Sequence, residues 1–179
     1  LGDVYKRQVE NIPYAYEISD YDYIAGLKSF QDGMYQIQDI SSMLAGEYTA
    51  PKAGDTIVDV CGAPGGKSIN AALKMSEQGD CGRVIARDLS DYKVALIDEN
   101  IKRLNITNIQ TQVYDALDCD ESLINKADIV IADLPCSGLG IIGRKPDIKY
   151  NASPEKLQSL VDLQRDILKV VSRYVKSGG

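Results

Sequence analysis

From Asp55 onward the chain alternates apolar, β-branched runs with helical patterns, and that alternation leaves few folds open. TIVDVC (56–61) reads as a strand that runs into GAPGG, and SINAALKM (68–75) then reads as a helix. RVIARD (83–88) is a second strand. SDYKVALIDENIKRL (90–104) is a helix with Ser90 or Asp91 as N-cap, because a short oxygen-bearing side chain there accepts a free backbone N–H. Its Val94, Ile97, Ile101 and Leu104 recur at steps of three and four, one helical face. IQTQV (109–113) is a third strand, and ADIVIADL (127–134), the most apolar, is a fourth. Ser153-Pro154 opens a last helix, since proline lacks an N–H that the first turn would leave unpaired anyway. Leu157, Leu160, Gln164, Ile167, Val171 and Tyr174 mark its inner face. Strands separated by helices imply βαβ units and a parallel sheet covered on both faces. Right-handed crossovers make this an α/β, doubly wound, mostly parallel Rossmann-like sheet.

Residues 1–54 follow another pattern, with scattered tyrosines, Gly26, Gly33 and then QDISSMLAGEYTA (38–50). The last tract predicts a short helix entered through Ser41 or Ser42. LGDVYKRQ (1–8) shows no clear period, and no element is assigned to it. The expected division is a lead-in or cover segment over 1–54 and a ligand-binding domain over 55–179. The chain starts at Leu1 and stops at Gly178-Gly179 just after a helical pattern. We therefore expect a piece of a longer chain, with its sheet incomplete at the C-terminus.

Composition removes several function classes. Hydrophobic residues at 44% and charged residues at 26% describe a globular chain. No apolar run approaches the roughly 18 residues that span a bilayer, so no membrane partner is expected. A net charge of −6 argues against a strongly basic nucleic-acid wrapper, although Arg144, Lys145 and Lys149 form a local basic patch. Cys61, Cys81, Cys119 and Cys136 form no CxxC pair, and histidine is absent. Both facts argue against a metal site and against a histidine-based triad. Reduced thiols suit a cytoplasmic protein, and a monomer is the default.

The chemistry concentrates in two loops. DVCGAPGGKS (59–68) joins the first strand to the first helix, where sheets of this kind bind cofactors. Gly62, Gly65 and Gly66 allow a tight turn and close approach to a ligand. The spacing is neither GxxxxGK[ST] nor GxGxxG. Asp88 ends the second strand, 22 residues after Gly66, where an acid can accept from a ribose diol of NAD or S-adenosylmethionine alike. Asp59, Asp88, Asp115 and Asp133 all sit at or near strand carboxyl ends. An acidic rim suits a ligand with positive charge, such as the sulfonium and ammonium of S-adenosylmethionine. In ADLPCSGLG (132–140), Pro135 and Cys136 follow directly on Asp133. By residue chemistry alone Cys136 is a nucleophile candidate, with a small loop residue as the plain alternative. Cys61 ends a buried strand and is the weaker candidate, while Cys81 and Cys119 fall in expected surface loops.

Together with QDISSML (38–44), RKPDIKY (144–150), LQRDIL (163–168) and KSGG (176–179), these motifs resemble the Sun-type RNA cytosine carbon-5 methyltransferases over residues 33–179. The resemblance implies a Rossmann-like S-adenosylmethionine-dependent methyltransferase. Cys61, Gly62, Ala63, Pro64, Gly65, Gly66 and Lys67 would cradle the methionine part, Asp88 the ribose hydroxyls, and Asp115 would lie by the adenine. Asp133 would stand between cofactor and target base. In that family a cysteine thiolate attacks cytosine carbon 6, carbon 5 takes the methyl group, and an acid matching Asp133 assists at N3. The attacking thiol belongs to a Thr-Cys motif on a later strand, and the cysteine matching Cys136 helps release the product. No Thr-Cys pair occurs in this chain, so the nucleophile is expected beyond Gly179 and the chain alone is not expected to turn over. The implied partner is RNA, ribosomal RNA first and tRNA also open, with the target base out of its stack. Two other readings stand beside it: a DNA cytosine-5 methyltransferase using Cys136 as nucleophile, and a non-catalytic nucleotide- or RNA-binding module. RKPDIKY is either a solvated loop or a contact for RNA phosphate. Lys67 either neutralises the cofactor carboxylate or pairs with the rim acids.

Overall fold

A computed structural model describes residues 5–79, 82–143, 145–151 and 153–179. Cys81 and Arg144 lie outside the described residues. The lead-in begins with an antiparallel hairpin of β1 (Tyr5–Gln8) and β2 (Tyr16–Ser19). No strand is expected there from the sequence, because four-residue strands with polar or exposed side chains show no apolar alternation. Arg7 and Glu17 face each other in register and pair at 2.7 Å. A short helix α1 (Lys28–Gln31) follows, then α2 (Ile40–Thr49). The N-cap of α2 is Asp39, so the helix starts one to two residues before the expected entry at Ser41 or Ser42.

The main sheet holds β3 (Thr56–Asp59), β4 (Arg83–Asp88), β5 (Ile109–Val113) and β6 (Ile129–Ile131), in the order β5-β4-β3-β6. Every neighbouring pair is parallel, as expected. Helix α3 (Gly66–Glu77) connects β3 to β4, and α4 (Asp91–Arg103), capped at Ser90, connects β4 to β5. Side chains alternate across a strand, so β3 sends Ile57 to one face and Val58 to the other. Ile57 and Val84 pack with Ala71, Ala72 and Met75 of α3. Val58 and Ile85 pack instead with Ile167 and Val171 of α6 (Pro154–Val171) and with Tyr174 beyond it. Both faces are thus covered by packed apolar side chains. Ser153 caps α6 by accepting the Lys156 N–H, with Pro154 in the first turn. Between β6 and α6 lies the short α5 (Ile148–Asn151).

Strand β6 is shorter than the apolar run 127–134. Among the described residues it pairs only with β3, and the last partners are Asp59 and Ile131; beyond them Ala132 to Leu134 leave the sheet toward Pro135. After α6 the chain returns beside β6, where Val175 makes a parallel bridge to Ala127.

One guanidinium makes several of the ties between the lead-in and the sheet domain. Arg103, at the end of α4, donates to the carbonyls of Phe30 (3.0 Å) and Tyr35 (2.9 Å) and to Gln36 Oε1 (2.5 Å). It also stacks 3.9 Å from the centroid of the Phe30 ring. Gly33 makes the turn beneath it at φ +73°, and a Cβ there would stand 1.9 Å from the Arg103 carbonyl oxygen. Hydrogen bonds to a charged donor contribute about 1.5–3 kcal/mol each. Arg103→Ala is expected to lower the unfolding free energy by at least about 2 kcal/mol in urea titration. It is also expected to speed hydrogen exchange at residues 30–38. An unchanged exchange pattern would show that the clamp does not hold this segment.

Candidate active site

The sheet order reverses at β3: β4 and β5 lie to one side of it and β6 to the other. At such a switch point the loops after the two central strands part and leave a crevice. The loop after β3 is tied down at several points. Gly62 N–H donates to the Arg87 carbonyl at 2.8 Å, and Gly65 N–H to the Gly62 carbonyl at 2.6 Å. The Ala63–Pro64 peptide is cis, and Gly65 stands at φ +104°. A Cβ on Gly65 would meet Ile69 and Ile97 at 3.2 Å. Asn100 of α4 donates to the Pro64 carbonyl at 3.1 Å.

This loop, Asp133 and the residues before α2 enclose a cleft of about 360 Å³. Its walls include Gln38 and Ser42 from the lead-in, Asp59, Cys61 to Pro64, Gly66, Lys67 and Asp133. Asp59 is 1% exposed. Burial pushes its carboxyl up to about 6, only partly offset by the Ser68 O–H, which donates to Oδ2 at 2.6 Å, and by the nearby Cys61 N–H. Asp59 Oδ1 makes no full hydrogen bond among the described residues, and neither does Gln38 Nε2. The Cys61 thiol is pushed up to about 11, first by burial and then by Asp88 and Asp59. It is therefore a thiol at neutral pH, not a nucleophilic thiolate.

Lys67 Nζ meets the rim acid Asp133 at Oδ2, 2.5 Å away, and approaches Ser42 Oγ at 3.4 Å. Asp133 remains 59% exposed at the mouth of the cleft. Cys136 is also exposed. Its loop is held by Gln164, which donates to the Pro135 carbonyl at 2.7 Å; this explains a glutamine on the inner face of α6. Asp88 is buried at the loop's base, accepting from Ala63 N–H (3.1 Å) and Leu89 N–H (2.8 Å) and pairing with Lys93 at 3.0 Å. Asp115 lies just beyond β5 and accepts the Leu117 N–H at 2.9 Å. Sheet order ranks the four acids along one edge as Asp115, Asp88, Asp59 and Asp133. Of them Asp59 and Asp133 line the cleft, together with residues 61–64, 66 and 67; Gly65, Asp88, Asp115 and Cys136 are not part of its lining. Gln38 and Ser42 belong to the QDISSML tract that carries part of the resemblance, but no site role is expected for them from the sequence.

The residues present fit a small, polar, partly cationic ligand. A Cβ on Gly62 would come within 3.2 Å of the Asp59 carboxylate, and one on Gly66 within 3.6 Å of Gln38; glycines leave that space open. The cleft volume lies within the usual range for ligand sites. Lys145 and Lys149 sit beyond Cys136, and Lys149 lies 4.8 Å over the exposed Tyr150 ring. Among the described residues, no group of three or more metal-ligating side chains occurs, and no helix is long and apolar enough to cross a membrane.

Fold and site together define the Rossmann-like fold of S-adenosylmethionine-dependent methyltransferases. The structure is similar to the crystal structure of PH0851, with TM-score 0.90 and 29% identity, covering 98% of this chain and 39% of that one. It is also similar to NSun6 from Pyrococcus horikoshii with SFG, with TM-score 0.77 and 28% identity, over 89% of this chain and 40% of that one. The 16S rRNA methyltransferase RsmB/F family matches residues 47–179, and the chain belongs to that family. It is 42% identical over 157 residues to the probable ribosomal RNA small subunit methyltransferase B of Bacillus subtilis (strain 168). It is 34% identical over 160 residues to ribosomal RNA small subunit methyltransferase B of Vibrio cholerae serotype O1. These matches cover 87% and 86% of this chain, which spans 34% of the length of each relative.

Asp59 makes a measurable stability prediction. Its carboxyl rises from 3.8 to about 6 on folding, so between those values the folded chain binds the proton more tightly than the unfolded one. Stability therefore falls as pH climbs through that window and stays at the lower level above it. The cost at neutral pH is on the order of 3 kcal/mol, at 1.36 kcal/mol per unit. Asp59→Asn keeps an acceptor for Ser68 and removes the charge, so its urea midpoint is expected to exceed that of the parent at pH 7.5. The gap is expected to close by about pH 4; a gap independent of pH would contradict the ionised, buried state.

Proposed function

We propose that this chain is the cofactor-binding part of an enzyme that methylates carbon 5 of cytosine in RNA. Ribosomal RNA is the first candidate substrate. The observation that carries the proposal is the Lys67–Asp133 pair at 2.5 Å, at the switch point of the sheet, three residues before an exposed Cys136. Family membership and the names of the relatives support the same direction. S-adenosylmethionine, when bound, supplies an electrophilic methyl group. The glycine loop would hold its amino-acid end, with Asp88 placed toward the ribose and Asp115 toward the adenine.

Asp133 would take the N3 side of an unstacked cytosine, held in position by the Lys67 ammonium. A thiolate adds to carbon 6; carbon 5 gains the methyl group and loses its proton, and the thiolate leaves. We assign the attack to a Thr-Cys cysteine on a segment beyond these residues, and a part in product release to Cys136. Residues 145–150, with two lysines and Tyr150, would contact the RNA backbone near the target. Cytoplasmic location is part of the same proposal.

Trapping tests this reading. RNA carrying 5-fluorocytosine cannot lose a proton at carbon 5, so the full-length protein with S-adenosylmethionine is expected to give a stable covalent adduct. Cys136→Ser is expected to keep adduct formation, and with ordinary RNA to accumulate adduct because release slows. Loss of the adduct in Cys136→Ser, with retention when the downstream cysteine is replaced, would instead support the DNA-type mechanism with Cys136 attacking.

A further inference from the structure

The loop that carries Cys136 has little structure of its own. Residues 132–138 are neither helix nor strand, and Cys136 is exposed. Contacts from elsewhere hold the three residues before it. Lys67 of α3 pairs with Asp133. Leu134 packs against the core cluster that includes Ile167 and Val171 of α6. Gln164 of α6 donates from Nε2 to the Pro135 carbonyl at 2.7 Å. This last contact is the one that reaches Cys136. A peptide unit is planar, so the Pro135 carbonyl, the Cys136 N–H and the Cys136 Cα move as one body. The pyrrolidine ring fixes φ at Pro135. A donor on that carbonyl therefore sets the direction in which the chain enters Cys136, and leaves free only the torsions of Cys136 itself.

We propose that Gln164 is a positioning residue for the reaction: by fixing the Pro135–Cys136 peptide it holds the Cys136 thiol where product release needs it. This rests on the reading that Cys136 serves release rather than attack. Packing alone does not call for a glutamine at this place. The inner face of α6 otherwise carries Leu157, Leu160, Ile167 and Val171, and a leucine at 164 would extend that stripe. A half-buried amide costs free energy unless it is hydrogen-bonded, and its printed partner is the loop. Gln164 is not part of the lining of the cleft between Asp59 and Asp133. Its removal should therefore act on Cys136 and spare cofactor binding.

Decay of the covalent adduct on ordinary RNA tests this, in the full-length protein with S-adenosylmethionine. Gln164→Glu keeps the shape but, ionised, has no donor; Gln164→Leu keeps the apolar stripe. Both are expected to slow adduct decay roughly two- to tenfold, the range for loss of one neutral hydrogen bond. Calorimetry is expected to show unchanged affinity for S-adenosylmethionine, and the thermal midpoint of Gln164→Leu is not expected to fall. Gln164→Leu combined with Cys136→Ser is expected to slow decay no further than Cys136→Ser alone, because Gln164 acts through that thiol. Additive slowing, or decay at the parent rate in both Gln164 variants while Cys136→Ser accumulates adduct, would overturn the proposal and leave the release role of Cys136 intact. Parallel losses of thermal stability, cofactor affinity and adduct formation would also overturn it, by reducing Gln164 to a structural contact. Decay at the parent rate in Cys136→Ser would sink the proposal and the release reading together.

Discussion

The position of β3, hydrogen-bonded to β4 on one side and β6 on the other, is the constraint on which the rest of the structure depends. It places Asp59 and the glycine loop at the centre of the sheet's carboxyl edge, and it brings Asp133 from a distant part of the chain alongside them. Strand register does the fine positioning: Asp59 pairs across to Ile131, so Asp133 leaves β6 two residues further on, within reach of Lys67. A one-residue slip would turn Ile57 and Val58 to the wrong faces and break both halves of the core at once.

The site is built at the expense of local stability. Asp59 is a carboxylate in a place that favours an apolar side chain, and Gln38 buries an amide donor without a partner. Such groups persist where the surrounding fold overdetermines them. Here the determinants are visible: Ser68 fixes Asp59 from α3, and Asp88 fixes the loop through Ala63. Asp88 thus has a structural task in addition to its place on the rim, which explains its full burial better than ligand contact alone.

The lead-in segment is more than a cover. Arg103 binds its backbone, Gly33 allows the turn, and Gln36 to Asp39 with Ser42 form one wall of the cleft. Tyr14, Glu47, Asn70 and Lys74 make a second tie, joining the hairpin region and α2 to α3. The lining of the cleft is therefore shared between a segment with weak sequence periodicity and a sheet with a strong one.

What the sequence determined by itself was the sheet and its rim. The β-branched runs of β4 and β5 match the strands to the residue, and the caps at Ser90 and Ser153 fall where expected. Local chemistry suffices there, because the hydrophobic period acts within a few residues, although only Ser153 caps with its side chain and Ser90 makes no capping hydrogen bond. The glycine loop and Asp133 were legible for the same reason. The tertiary structure alone decided the rest. The hairpin β1–β2 has no apolar period to read, and the end of β6 depends on where β3 stops pairing. The sheet order also sets Asp133 beside Lys67, a pairing between residues 66 positions apart. That Gln38 and Asp59 line one cleft is likewise a property of packing, set by contacts between residues far apart in the chain.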